Sequence, residues 1–280
     1  MLCAFGDVNF HQIVTFPILE GLFKKSLKNH IMKKILVQAT LLMALAVGLN
    51  ARAQVKTHEV RPFDEVIISP HIEVVFEKAD KESVVIESLD VSEEKLNVEV
   101  KGGTLQIYLD DAKAYTKSHK VKYENYKGRQ SVYEGTKVIA RVYFKEIKEF
   151  SLRGDETHKV IGPIEGTSLV LKIYGEPEVY LEKVDVESLQ ATLYGEGYLE
   201  IKTGRAEEQR IVSYGESEVN TLGVNNKSAR VTSYGEGEVR LAVSDQLKVT
   251  SFGEASVFYK GNPEVDRGII VGEAKIHPMN

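Results

Sequence analysis

The sequence predicts an all-β fold whose C-terminal half is a β-solenoid with coils of about twenty residues. Three observations predict it. A glycine-centred unit recurs seven times in register, apolar and polar residues alternate inside each unit, and no window carries a helical period.

The repeat is explicit from Phe150 onward. LKIYGEPEVYL begins at Leu171, ATLYGEGYLEI at Ala191, IVSYGESEVNT at Ile211, VTSYGEGEVRL at Val231 and VTSFGEASVFY at Val249. FSLRGDETHKV at Phe150 opens the series and IIVGEAKIH at Ile269 closes it. The central glycines are Gly154, Gly175, Gly195, Gly215, Gly235, Gly253 and Gly272, spaced by 21, 20, 20, 20, 18 and 19 residues. Glycine suits a sharp corner because it reaches positive φ without a Cβ clash.

Parity assigns the remaining positions. Three before the aromatic column stand Phe150, Leu171, Ala191, Ile211, Val231 and Val249, at strand spacing toward a core. One residue before it stand Leu152, Ile173, Leu193, Ser213, Ser233 and Ser251. After the glycine, Val179, Leu199, Val219, Val239 and Val257 form a second inward column. A twenty-residue unit cannot bury such a face alone, but it can when stacked on identical neighbours.

The N-terminal region (54–149) is β-rich and less regular. Phe63–Lys78, Ser83–Leu89, Lys95–Leu109 and Lys137–Phe144 alternate as strands, and Gly102-Gly103 marks a hairpin. Residues 110–136 interrupt them with a polar, Lys-rich insertion bearing Tyr115, Tyr123, Tyr126 and Tyr133. An insertion that long is expected to be functional or partly structured. The repeat region (150–277) is expected to continue directly from this part.

The front of the chain reads as an export signal. Lys33 and Lys34 precede an uncharged run from Ile35 to Leu49, and Ala51-Arg52-Ala53 supplies a cleavage site, so 32–53 is expected to be removed. The run is shorter than a membrane-spanning helix needs. Met32 is the expected start, with 1–31 outside the fold. The only cysteine, Cys3, falls there, so no disulfide, thiolate metal site or cysteine nucleophile is expected in the exported part. From Gln54 onward 30 basic and 39 acidic residues give a net charge of about −9, which argues against nucleic acid or an anionic membrane as partner. The expected location is the periplasm, the cell surface or the medium of a Gram-negative bacterium.

Together, the F-x-x-V strand at Phe63–Val66, the alternating strands, the glycine-centred repeats and the closing GNPEVDRGIIVGEAKI resemble the autotransporter-adhesin head domain, or GIN domain, family of Bacteroides-type bacteria. The resemblance covers Val55 to His277. It implies a right-handed β-helix shaped like pectin-lyase folds without their catalytic residues, and a role in adhesion. The family's repeat is richer in Gly and Ser, whereas Tyr-Gly-Glu dominates here. No site residues carry over from it.

Two outward columns are the candidate binding ladder: Tyr174, Tyr194, Tyr214, Tyr234 and Phe252, and Glu176, Glu196, Glu216 and Glu236, continued by Asp155, Glu254 and Glu273. The aromatic column is either a stacked corner or a platform for carbohydrate or protein. The carboxylates suit a solvated corner. A two-carboxylate hydrolase needs unlike environments for its acid and its base, and a ladder of equivalent groups is the opposite arrangement. The calcium-solenoid nonapeptide is absent, so neither a metal nor a cofactor is predicted. His58, His71, His119, His158 and His277 lie outside metal-ligand spacing of one another, and no nucleophile motif occurs. The expected function is a non-catalytic envelope or secreted binding protein with a glycan or surface protein as partner. A polysaccharide-active β-helix enzyme and a structural spacer are the alternatives.

Overall fold

The computed structural model describes residues 56–123 and 126–279; the expected signal segment and Cys3 lie outside them. Among the described residues there is no α-helix, and none long and apolar enough to cross a membrane. The chain is all-β, and its C-terminal part is a β-solenoid of about six turns.

Each coil has a first strand segment that ends at the column glycine, a corner, and a second segment that leads back to the next coil. Coil-to-coil pairing is parallel and in register through β11 (Thr157–Gly175), β12 (Glu178–Gly195), β13 (Tyr198–Tyr214), β14 (Glu218–Lys260) and β15 (Glu264–Pro278). Tyr174 pairs with Tyr194 and Tyr194 with Tyr214, so residues of one sequence column stack as one structural column. The inward columns are buried as parity requires, including Ala191, Ile211, Val231 and Val249, and Val179, Leu199, Val219 and Val257.

The same register runs into the N-terminal region. β10 (Glu149–Gly154) pairs in parallel with β2 (Glu65–Ile68), and β2 with β6 (Thr104–Leu109), which extends the first face. β11 pairs with β3 (Ile72–Lys78), and β3 with β9 (Val138–Phe144), which extends the second. Two antiparallel additions then end the stack: β5 (Leu96–Lys101) on β6, and β4 (Ser83–Leu89) on β9 with β1 (Lys56–Glu59) beyond it. At the other end, among the described residues, β15 pairs only with β14.

Phe63–Lys78, expected as one strand, is two. Pro70 supplies no N–H and His71 sits at φ +71, so the chain turns between β2 and β3. This turn occupies the corner that Asp155-Glu156 occupies one coil later. The insertion occupies the same corner between β6 and β9. It contains an antiparallel hairpin, β7 (Ser118–Tyr123) and β8 (Tyr126–Ser131), which forms a sheet of its own.

All seven column glycines have positive φ, from +99 to +135. Turning is only half the reason. The carbonyl of each glycine faces the next coil, and Glu216 N–H donates to Gly195 O at 3.1 Å. A Cβ on Gly215 would lie 2.6 Å from that oxygen, and one on Gly235 would lie 2.7 Å from Gly215 O. Close stacking at the corner excludes a side chain as firmly as the torsion does.

Candidate functional site

The first strand segment of each coil turns its odd inward columns to the core and three columns to solvent. The aromatic column is one of these. Tyr174, Tyr194, Tyr214, Tyr234 and Phe252 stack with ring centroids 4.8–5.0 Å apart and planes within 4° of parallel. Tyr194, Tyr214 and Tyr234 are about 40% exposed, whereas Tyr174 and Phe252 are less so. Arg153 holds the next rung, its guanidinium carbon 5.4 Å from the Tyr174 ring centre, where it covers that ring's outer face.

Of the two readings of the aromatic column, the rings take the stacked form. A platform that stacks sugars on aromatic faces needs those faces free, but here each inner ring is sandwiched between its neighbours. What reaches solvent is the edge of the ladder, a row of phenol hydroxyls repeating once per coil. Parallel in-register stacking forces this, because equivalent side chains with equal rotamers lie directly over one another.

Beyond the glycine corner the carboxylate column is exposed at every rung: Asp155, Glu176, Glu196, Glu216, Glu236, Glu254 and Glu273. Among the described residues none of Glu176, Glu196, Glu216, Glu236 and Glu254 has an ion pair. The corner ladder also holds their backbone, with Glu176 N–H donating to Gly154 O and Glu196 N–H to Gly175 O. Among the described residues no cluster of three or more His, Asp or Glu is placed to hold a metal ion.

The histidines do not gather into one site. His58 is on β1, His119 on β7, and His277 lies against Phe258 on the last coil. His71 anchors the insertion, with Nδ1 2.8 Å from Gly135 O and Nε2 2.6 Å from Thr116 Oγ1, and with Tyr133 packed against its ring. Its Nδ1 also stands 3.9 Å from Glu156 Oε1. Glu156 points inward from the column that holds Pro177, Gly197, Ser217 and Gly237 in later coils, and burial pushes its carboxyl above the usual range despite the N–H of Asp155. His158 is fully buried among valines, both ring nitrogens lack a partner, and burial pushes its pKa down to about 3.

Sequence reasoning missed a third outward column, four residues before the aromatic one: Gln190, Arg210, Arg230 and Lys248. The same parity that placed the tyrosines would have found it. It shares their sheet face, about 13 Å away along the strand.

A family model described as "Putative auto-transporter adhesin, head GIN domain" matches residues 62–263. No curated protein matches the chain in sequence. In fold the chain is similar to a putative adhesin from Bacteroides fragilis, with TM-score 0.67, 18% identity, and coverage of 80% of this chain and 96% of that one. A putative adhesin from Parabacteroides merdae gives 0.60, 17%, 82% and 98%. A putative lipid binding protein from Parabacteroides distasonis gives 0.56, 19%, 82% and 98%. At these identities the likeness carries the fold alone.

Proposed function

The chain belongs to the auto-transporter adhesin head GIN-domain family, and from that premise we propose that it is an exported, non-catalytic adhesin module that binds through the flat first face of its solenoid. The observation that carries this reading is the aromatic ladder: five stacked rungs on an open sheet face, with a row of hydroxyl edges beside the exposed carboxylates of Glu176, Glu196, Glu216, Glu236 and Glu254. Such a surface offers one donor–acceptor pattern at a fixed interval, which suits a ligand that is itself a repeating polymer, a glycan foremost. Each contact is weak and exposed, so strength comes from several rungs engaged at once.

A non-catalytic role is supported by the sameness of the carboxylates. They recur in equivalent exposed surroundings, and an acid–base pair requires the reverse. Export is supported by the family and by the signal-like residues 32–53.

The test is binding of the purified protein to cells and to a glycan array. Y194S/Y214S/Y234S is expected to lose at least about tenfold in binding while circular dichroism stays β-rich, and each single variant is expected to lose little. Unchanged binding by the triple variant would remove the ladder from the binding surface.

A further inference from the structure

The column four residues before the tyrosines lines a polar groove on the solenoid. The groove encloses about 670 Å³ and runs across five coils, from Ser188 and Gln190 to Glu264 and Asp266. Its central rungs carry Arg210 and Arg230, both exposed and stacked in register as a pair. Among the described residues neither guanidinium makes an ion pair or a side-chain hydrogen bond, although lysines and arginines elsewhere on the surface are commonly paired. Lys248, on the next rung, is neutralised by Asp266 at 2.6 Å. Glu208 also lines the groove, two residues from Arg210, without an ion pair to it.

Two like charges held a rung apart repel, and among the described residues no ion pair offsets either of them. The groove around them presents Gln190, Gln246, Ser188 and Ser228, and the carboxylates of Glu208, Glu264 and Asp266 also line it. We propose that this groove binds an acidic polysaccharide lying along the solenoid axis, with successive anionic groups on Arg210 and Arg230 and sugar hydroxyls on the amides and serines. This rests on the adhesin reading above and names the ligand class for the same face.

Two features select a glycan among polyanions. The cations repeat at the coil interval, which the Tyr214–Tyr234 ring separation sets at 4.8 Å. Side chains on one face of an extended acidic peptide repeat at about 6.6 Å and fall out of step. Single-stranded nucleic acid needs open aromatic faces for its bases, and the ladder's inner faces are closed against one another. The guanidinium fork suits a carboxylate or a sulfate equally, so either can supply the anion.

The experiment titrates the purified protein with a hexuronate oligosaccharide, a sulfated oligosaccharide of equal length, a neutral oligoglucan and polyglutamate, each at low and high salt. The expected result is salt-sensitive binding of a charged oligosaccharide. R210Q/R230Q is expected to weaken it at least about tenfold with unchanged melting, and R210K/R230K to restore only part. The preferred oligosaccharide reports whether carboxylate or sulfate is read. The proposal is overturned if no charged oligosaccharide binds, if the neutral chain or polyglutamate binds as well, or if R210Q/R230Q binds like wild type. Cell binding that depends on Tyr194, Tyr214 and Tyr234 while the charged oligosaccharides fail would leave the adhesin reading standing and remove this one alone.

Discussion

The early and late coils share one backbone register but fill their interiors differently. One position before the aromatic column, the stack begins with Ile107, Ile68, Leu152, Ile173 and Leu193, all buried. Further along, the same column holds Ser213, Ser233 and Ser251, equally buried. Ser213 Oγ donates to Ser233 Oγ at 3.2 Å, while Ser251 Oγ has no partner. The early coils also bury bulk, with Phe76 and Phe150 edge to face at 4.9 Å, and two titratable groups, Glu156 and His158. Side-chain volume therefore does not hold the register. The parallel hydrogen-bond ladder does, joined by the glycine corner from Gly154 onward, and the core tolerates what each coil puts inside.

The largest expected effect belongs to the early coils and to acid. The unfolded His158 takes up its proton below about pH 6.5, whereas the folded residue does so only near pH 3. Stability is therefore expected to fall as pH drops through that interval, by roughly 5 kcal/mol from this residue. Glu156 acts with opposite sign, since its raised carboxyl favours the folded state as pH falls. Denaturant titrations from pH 7 to 3 should show His158→Val, which matches its stacked neighbours Val74 and Val179, flattening the acid loss. An unchanged acid limb would mean that His158 is not buried neutral.

Next in size is the glycine corner that runs from Gly154 through the late coils. Gly235→Val is expected to lose about 4 kcal/mol, because positive φ and the Gly215 carbonyl both oppose a side chain. A wild-type melting temperature would show that the corner does not carry the register. Leu152→Ala in an early coil should follow at about 3 kcal/mol, against about 1 kcal/mol for Ser233→Ala in a late one. Equal losses in chemical denaturation would abolish the distinction between the two interiors. The smallest effect is expected at Ser251, whose hydroxyl is unpartnered. Ser251→Ala should be neutral to slightly stabilising in the same measurement.

The late coils were legible from sequence because each carries its own punctuation: the Gly-Glu corner fixes the register and parity does the rest. The N-terminal coils obey the same register, but their corners do not announce it. One is Ser69-Pro70-His71, and the other is swollen into residues 110–136. With no repeated word to align, β2 and β3 run together as one strand, and β6 and β9 read as strands without a coil to join. Parity gave the outward direction of the tyrosines, but not what their faces would meet. That depends on coil-to-coil rotamer identity, a property of the stack and not of any one unit. The unpaired state of Arg210 and Arg230 likewise depends on which neighbours the topology brings within reach.

The asymmetry of the two ends bears on how such a gene can change. Among the described residues the N-terminal end of the stack carries antiparallel strands that no other coil could replace, while β15 at the other end stacks in parallel on β14 with most of its residues exposed. An in-frame duplication of one coil's worth of coding sequence anywhere between Gly175 and Gly253 would add a rung and disturb neither end. Length, and with it the number of ligand units engaged, is thus open to selection by recombination alone. The ending fixed by β4 and β5 stays under the constraint of point mutation.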